Sequence, residues 1–444
     1  MLAPSLSHRP AWRPKAGFIV ALWLIALTLP APAQSLSSFD RERGRSMLKT
    51  IQNDIKKKYY DPNFRGMDLE ARFKEADDKI KQAASLGQMF GIIAQALLDF
   101  DDSHTFFIPP QRAATTDYGV DMLMIGDRCH LVLVKPDSDA EAKGVKVGDQ
   151  LLSIDGIAVT RENSWKMAYL YYSLRPKPGL RIVVQSPGGQ PRQVDVLAAT
   201  KKRQVIQQVD DDYFGDFLRQ SERDARLNRH RYHEIGKDLF IWKMPQFDMN
   251  EGEVDSMMDR ARKHKGLILD LRGNGGGLET TLKRLVSNFF GHEVKIGDWK
   301  GRKETKPVIA RPRASSYFEG DLVVLIDSLS GSAAEVFARV VQLEKRGVVI
   351  GDRSAGAVMG SKRYSYESGV DIVAFYGASI TEADLIMTDG KSLEHVGVKP
   401  DELLLLSGAA LAARRDPVMS RAAALIGVSL DPSAAGALFP IEWK

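Results

Sequence analysis

The chain has 444 residues, 44% hydrophobic and 27% charged, with a formal charge of +5. This is the composition of a soluble globular protein, and the length exceeds one ordinary core, so two or three domains are expected. Residues 1–33 carry Arg9, Arg13 and Lys15 and no acid, which leaves 5 − 3 = +2 for the rest, and that balance makes no case for a nucleic-acid partner.

Taken in order, the first segment has cations before the apolar run Phe18–Leu29 and then Ala31-Pro32-Ala33. That pattern reads as a cleaved signal peptide over residues 1–33, hence a secreted or periplasmic protein with no stable membrane anchor after cleavage. Residues 36–112 read as an N-terminal helical domain. Leu48, Ile51 and Ile55 keep one face, and Leu69–Ala84 and Leu86–Phe100 add two amphipathic stretches. The segment ends in Asp101-Asp102-Ser103-His104-Thr105.

Residues 113–200 change to aliphatic alternation at Val120–Ile125 and His130–Val134, which predicts a β domain. Cys129 is the single cysteine, which excludes an internal disulfide. Residues 201–230 are charged and read as a linker or surface helix. From Asp238 the order alternates. Strands are predicted at Leu239–Met244, Gly266–Leu271, Leu322–Ile326 and Val348–Ile350, and helices at Glu253–His264, Leu278–Phe290 and Ala333–Leu343. Such alternation predicts a largely parallel sheet covered on both faces. Tyr364–Glu367, Ile372–Tyr376 and Ser379–Met387 read as further strands, within a core spanning 201–407. Residues 408–444 read as a tail, a terminal helix plus a loose end.

Four places carry chemistry. The run Leu322–Val341 passes from a buried strand through the small residues Ser328–Ser332, broken by Leu329, into a helix. Ser332 then sits in the helix's first turn, where free N–H groups collect. It reads either as an ordinary N-cap or as a nucleophile whose oxyanion the neighbouring amides hold. Asp270-Leu271-Arg272-Gly273-Asn274-Gly275-Gly276-Gly277 follows a predicted strand, and its glycines can turn amides toward a developing charge. A phosphate loop or a plain turn is the other reading of that stretch. His104 can accept a hydroxyl proton near neutral pH, but it lies 332 − 104 = 228 residues before Ser332, so only folding can join them. Glu394 can orient such a base through an intervening hydroxyl.

Two resemblances organise these pieces. The run AKGVKVGDQLLSIDG, residues 142–156, resembles the glycine-turn segment of a PDZ domain. That resemblance implies an extended peptide end bound near Gly119, Val120 and Asp121. DLRGNGGG, SGSAAE, GDRSAG and GVKPD, in that order behind the PDZ-like stretch, resemble the carboxyl-terminal processing proteases and the tricorn protease core. The resemblance implies an α/β multidomain protein with a core of the ClpP/crotonase-like type, in which Ser332 is a serine nucleophile. It implies oxyanion amides at Gly275 or Gly276 and at Ala333. The processing branch carries a lysine where this chain has Ala357, and Lys362 is a poor substitute. The tricorn-like branch uses a Ser-His pair and a Glu instead, matched here by Ser103, His104 and Glu394. An exported serine endopeptidase acting on unfolded or C-terminally exposed protein segments is therefore expected, with no metal or cofactor. The rival reading is a PDZ-bearing, peptide-binding pseudo-peptidase without catalysis.

Overall fold

The computed structural model describes residues 36–112, 114–202, 229–312, 316–369 and 373–439. The expected signal peptide and most of the expected linker, 203–228, lie outside the described residues. Three helices come first, α1 (Ser38–Lys58), α2 (Leu69–Lys81) and α3 (Leu86–Leu98). Ser37, Asp68 and Ser85 cap them by accepting the amides of Asp40, Ala71 and Gln88. Their apolar stripes share one core with Phe107, Tyr376, Ala378 and Ile380 of an antiparallel sheet. The helices therefore cover that sheet, and β1 (Phe106–Ile108) leads the chain directly into it.

A β-rich unit follows. It comprises β2 (Ala114–Asp117), β3 (Val120–Ile125), β4 (Arg128–Val134), α4 (Asp139–Ala142), β5 (Gln150–Ile154), β6 (Ile157–Ala158) and α5 (Ser164–Ala168) with a π-helical turn to Leu174. It closes with β7 (Gly179–Gln185), β8 (Arg192–Leu197) and β9 (Ala199–Lys202). The sheet runs β3-β4-β5-β7-β8, with β6 on β5, and β2 pairs β9 separately. Residues 199–202 are thus a strand, where the sequence suggested that the linker had begun.

The remainder builds two sheets from β10 (Arg231–Ile235), β11 (Leu239–Lys243), α6 (Glu251–Ala261), β12 (Gly266–Asp270), α7 (Glu279–Ser287), β13 (Val294–Gly301), β14 (Thr305–Ala310), β15 (Asp321–Ile326), α8 (Ala333–Leu343), β16 (Val348–Gly351), β17 (Met359–Ser368), β18 (Ala374–Met387) and β19 (Glu402–Leu403). The first runs β10-β11-β12-β15-β16-β19, parallel except for β10. Alternate residues enter opposite cores. Phe240, Trp242, Leu267, Leu269, Val324 and Ile326 pack with α6, α7 and α8, and Leu239, Ile241, Ile268, Val323 and Leu325 face the other side. That other side is covered by α9 (Gly408–Ala412), α10 (Pro417–Leu425) and α11 (Pro432–Gly436), through Val418, Met419, Ala422, Ala423 and Ala435. Where a terminal helix and a loose end were expected, three helices form a packed layer, because a parallel sheet must bury both faces. Arg272 bridges Asp270 at the end of β12 to Asp416, which caps α10.

The second sheet is antiparallel, ordered β1-β18-β13-β14, with β17 on β18. Two strands expected over 372–387 are one, β18. In the parallel sheet β12 and β15 are neighbours, so the loops leaving their C-terminal ends are adjacent.

Candidate active site

The loop after β15 delivers Ser332 to the start of α8 in an unusual shape. Its φ is 50° and ψ −120°, outside the β region in which an ordinary N-cap sits, although Glu335 at the third helical position accepts its N–H as in a capping box. A positive φ in a non-glycine residue is strained and persists only where surroundings enforce it. Those surroundings are visible. The Ser332 N–H donates to Ala357 O at 2.9 Å and to Glu335 Oε2 at 3.0 Å. Glu335 is fully buried and also accepts the Ser354 hydroxyl (2.6 Å), Gly356 N–H (2.7 Å) and Ala357 N–H (2.9 Å). Burial pushes its pKa up to about 7, against the pull of those four donors.

The glycine loop after β12 lies against this turn. A Cβ on Gly276, at φ 101°, would stand 2.5 Å from Ser332 Cβ. Gly276 N–H donates to Asn274 Oδ1 at 2.8 Å, and the fully buried Asn274 is held in turn by Met244 O. Gly276 N–H is therefore engaged within its own loop. The amides of Gly275 and Ala333 have no hydrogen-bond partner among the described residues.

His104 arrives from the other side, between α3 and β1. Ser103 Oγ lies 2.6 Å from His104 Nδ1 and donates to Glu394 Oε2 at 2.9 Å, while Ser103 N–H reaches Glu394 Oε1 at 2.6 Å. Ser103 has one hydroxyl proton and gives it to the carboxylate. Nδ1 therefore carries the ring hydrogen, and Nε2 keeps the lone pair. Glu394 Oε2 also accepts Val358 N–H at 2.9 Å, and burial raises this carboxyl's pKa against the three hydrogen bonds it accepts. Asp102 fixes the loop. It accepts the amides of His104 (2.9 Å) and Thr105 (2.7 Å) and the hydroxyls of Tyr59 (2.8 Å) and Thr381 (2.7 Å). Burial lowers the imidazole pKa to about 4, against the pull of Asp102 and helped by Arg363, so the ring is neutral at pH 7.

The structure thus gathers Ser103, His104 and Glu394, and backbone joins them to Ser332: Val358 bonds Glu394, and Ala357 bonds Ser332. His104 and Ser332 share no direct hydrogen bond among the described residues. Ala357, the position lacking the lysine, stands against the Ser332 turn. Lys362 is exposed on β17 with its ammonium 5.9 Å from the Tyr364 ring. Sequence reasoning passed over Asp102, Asn274 and Glu335, although all three stand inside the stretches it singled out.

Gly119, Val120 and Asp121 are not part of this network. Gly119 precedes β3, an edge strand that Val120 and Asp121 open. Gly119 N–H is already taken by Asp117 Oδ1 at 2.8 Å, and Val120 O by the Tyr172 hydroxyl at 3.5 Å. The far end of β3 does touch the loop that leads to Ser332: Ser328 Oγ donates to Met124 O at 2.6 Å. Arg161 adds a bridge to Asp352 at 2.6 Å, whose carboxylate also accepts Gly126 N–H.

Residues 240–404 match the sequence profile of peptidase family S41. The chloroplastic C-terminal processing peptidase of Tetradesmus obliquus is 24% identical over 368 residues, covering 78% of this chain and 74% of that protein. The carboxyl-terminal-processing protease of Picosynechococcus sp. is 22% identical over 407 residues, covering 87% and 89%. Among solved structures, mature CPAF complexed with lactacystin superposes with a TM-score of 0.64 at 15% identity, covering 84% of this chain and 96% of that one, a likeness of fold.

Proposed function

We propose that this serine-type peptidase works as the carboxyl-terminal processing proteases it resembles do, with Ser332 its nucleophile and His104 its general base. Ser103 and Glu394 orient that base and balance its charge, in the tricorn-like manner. The observation that carries this reading is the unbroken path from the His104 ring through Ser103, Glu394 and residues 357–358 to Ser332.

Each residue has a step. A peptide carbonyl sits over Ser332, and His104 Nε2 takes the hydroxyl proton as Oγ attacks. The contact between them closes on substrate binding, since catalytic hydrogen bonds are often long without substrate. Gly275 and Ala333 amides hold the oxyanion, aided by the N-terminal dipole of α8. The imidazolium is stabilised through Nδ1–H, the Ser103 hydroxyl and Glu394, then gives its proton to the leaving amine. Water, activated by the same ring, releases the acyl group from Ser332.

The substrates are unfolded or C-terminally exposed protein segments. The enzyme is exported, as the N-terminal signal pattern requires; among the described residues no helix is long and apolar enough to cross a membrane. On this reading residues 114–202 serve as a PDZ-like unit, the helices of 38–98 as the cover of the antiparallel sheet, and the two sheets of 231–403 with α9–α11 as the peptidase core.

Cleavage of casein by purified wild type and single variants tests the assignment. Ser332→Ala and His104→Ala are expected to lose activity by at least about 10²-fold, and Lys362→Ala to stay within about twofold of wild type. Activity that survives His104→Ala and vanishes in Lys362→Ala overturns the choice of base.

A further inference from the structure

The two amides proposed for the oxyanion belong to different loops. Gly275 lies in the loop after β12, and Ala333 follows the loop after β15. An oxyanion hole works only when its donors are fixed before charge develops, so whatever sets the distance between these loops sets the rate.

Contacts that cross between the loops are few. Ser330 Oγ donates to Leu271 O at 2.8 Å, Gly331 N–H to Asn274 O at 2.8 Å, and Gly273 N–H to Asp327 Oδ1 at 2.9 Å. The last differs in kind. The same Asp327 oxygen gathers Leu329 N–H at 3.0 Å and Ser330 N–H at 3.1 Å. Asp327 N–H returns a bond to Ser330 Oγ at 2.9 Å. One carboxylate oxygen therefore binds donors from the glycine loop and from the nucleophile loop at once. Asp327 Oδ2 takes part in none of these bonds. Burial raises the pKa of this carboxyl, opposed by Gly273 N–H and by Lys243.

We infer that Asp327 is a positioning residue for catalysis: its Oδ1 clamps the glycine loop to the nucleophile loop, so that the Gly275 and Ala333 amides converge on one oxygen. The inference rests on reading Ser332 as the nucleophile. It makes a chemical demand on Oδ1 as an acceptor and none on the charge.

The test compares three substitutions at Asp327. Asp327→Asn keeps Oδ1 and is expected to hold kcat within about threefold of wild type. Asp327→Ala removes the acceptor and is expected to lower kcat about 10²-fold with KM within about threefold. Asp327→Glu moves the acceptor by one methylene while keeping the charge, and is expected to lower kcat in the same way; it serves alone if the alanine variant does not fold. A peptide aldehyde, which forms a tetrahedral adduct, should lose affinity in Asp327→Ala by the factor lost in kcat/KM. Binding of an uncleaved peptide should be equal in Ser332→Ala and in Ser332→Ala with Asp327→Ala. Wild-type kcat in both the alanine and glutamate variants overturns the inference. So does loss in which kcat and peptide binding fall together, or an asparagine variant as impaired as the alanine one. The two readings separate on Ser332→Ala alone: if it still cleaves, the nucleophile assignment falls, whereas an inactive Ser332→Ala beside fully active Asp327 variants removes only the clamp.

Discussion

At the scale of residues, the site turns on which ring nitrogen of His104 is left free to take a proton. Ser103 donates its hydroxyl hydrogen bond to Glu394, which places the ring hydrogen on Nδ1 and leaves Nε2 as the base. Burial keeps the ring neutral until about pH 4. A base must be unprotonated to act, so kcat/KM is expected to be flat through the neutral range and to fall only as pH drops past about 4; an acidic limb near 6.5 in the pH–rate profile would contradict the environment described. Stability follows the same sign. The folded pKa lies below the unfolded one, so the contribution of His104 is lost as pH falls from about 6.5 to about 4. Glu394→Gln removes the charge that balances the imidazolium and is expected to lower kcat by about 10²–10⁴-fold with little change in KM, read from steady-state kinetics. Ser332, His104, Ser103 and Glu394 were legible as residues because their types and neighbours are distinctive. Asp102, Asn274, Glu335 and Asp327 were not, since each acts by accepting backbone amides, and which amides a carboxylate or amide side chain meets is decided by the fold.

At the scale of elements, the strand–turn–helix from β15 through Ser332 to α8 is the working part. The helix stretch Ala333–Leu343 and the strands β11, β12 and β15 were readable from hydrophobic period and length. The strain in the turn was not, because a serine before a helix reads as a cap. Nor was the β13–β14 hairpin, where lysines, glycines and a register shift between Lys295 and Gly297 break the alternation. Gly276 must approach the nucleophile turn closely, and its φ of 101° suits glycine alone. Gly276→Ala is therefore expected to lower both activity, by at least about 10²-fold, and thermal stability, while Gly188→Ala, with open space around it, leaves activity intact. Equal activity in the two variants would contradict the packing of the glycine loop on Ser332.

At the scale of the whole molecule, the groups proposed for catalysis come from segments far apart in the chain, and the layers explain how they meet. The N-terminal helices cover the antiparallel sheet and so hold His104 beside β18, while the parallel sheet carries Ser332. From sequence the Ala-rich C-terminal stretch gave one helix and a loose end, because its amphipathic signal is weak, yet three helices close the second face of the sheet. Met419→Ala, at a buried position of that face, is expected to cost about 2–5 kcal/mol in urea unfolding, and an unchanged midpoint would contradict the packed-layer description.

The most direct test of the account as a whole is the rate at which a fluorophosphonate labels the protein, with the adduct located by peptide mass spectrometry. A single adduct on Ser332, slowed at least about 10²-fold by His104→Ala and left unchanged by Lys362→Ala, is the predicted result. An adduct on any other residue, or labelling of Ser332 at full rate without the His104 imidazole, would contradict it.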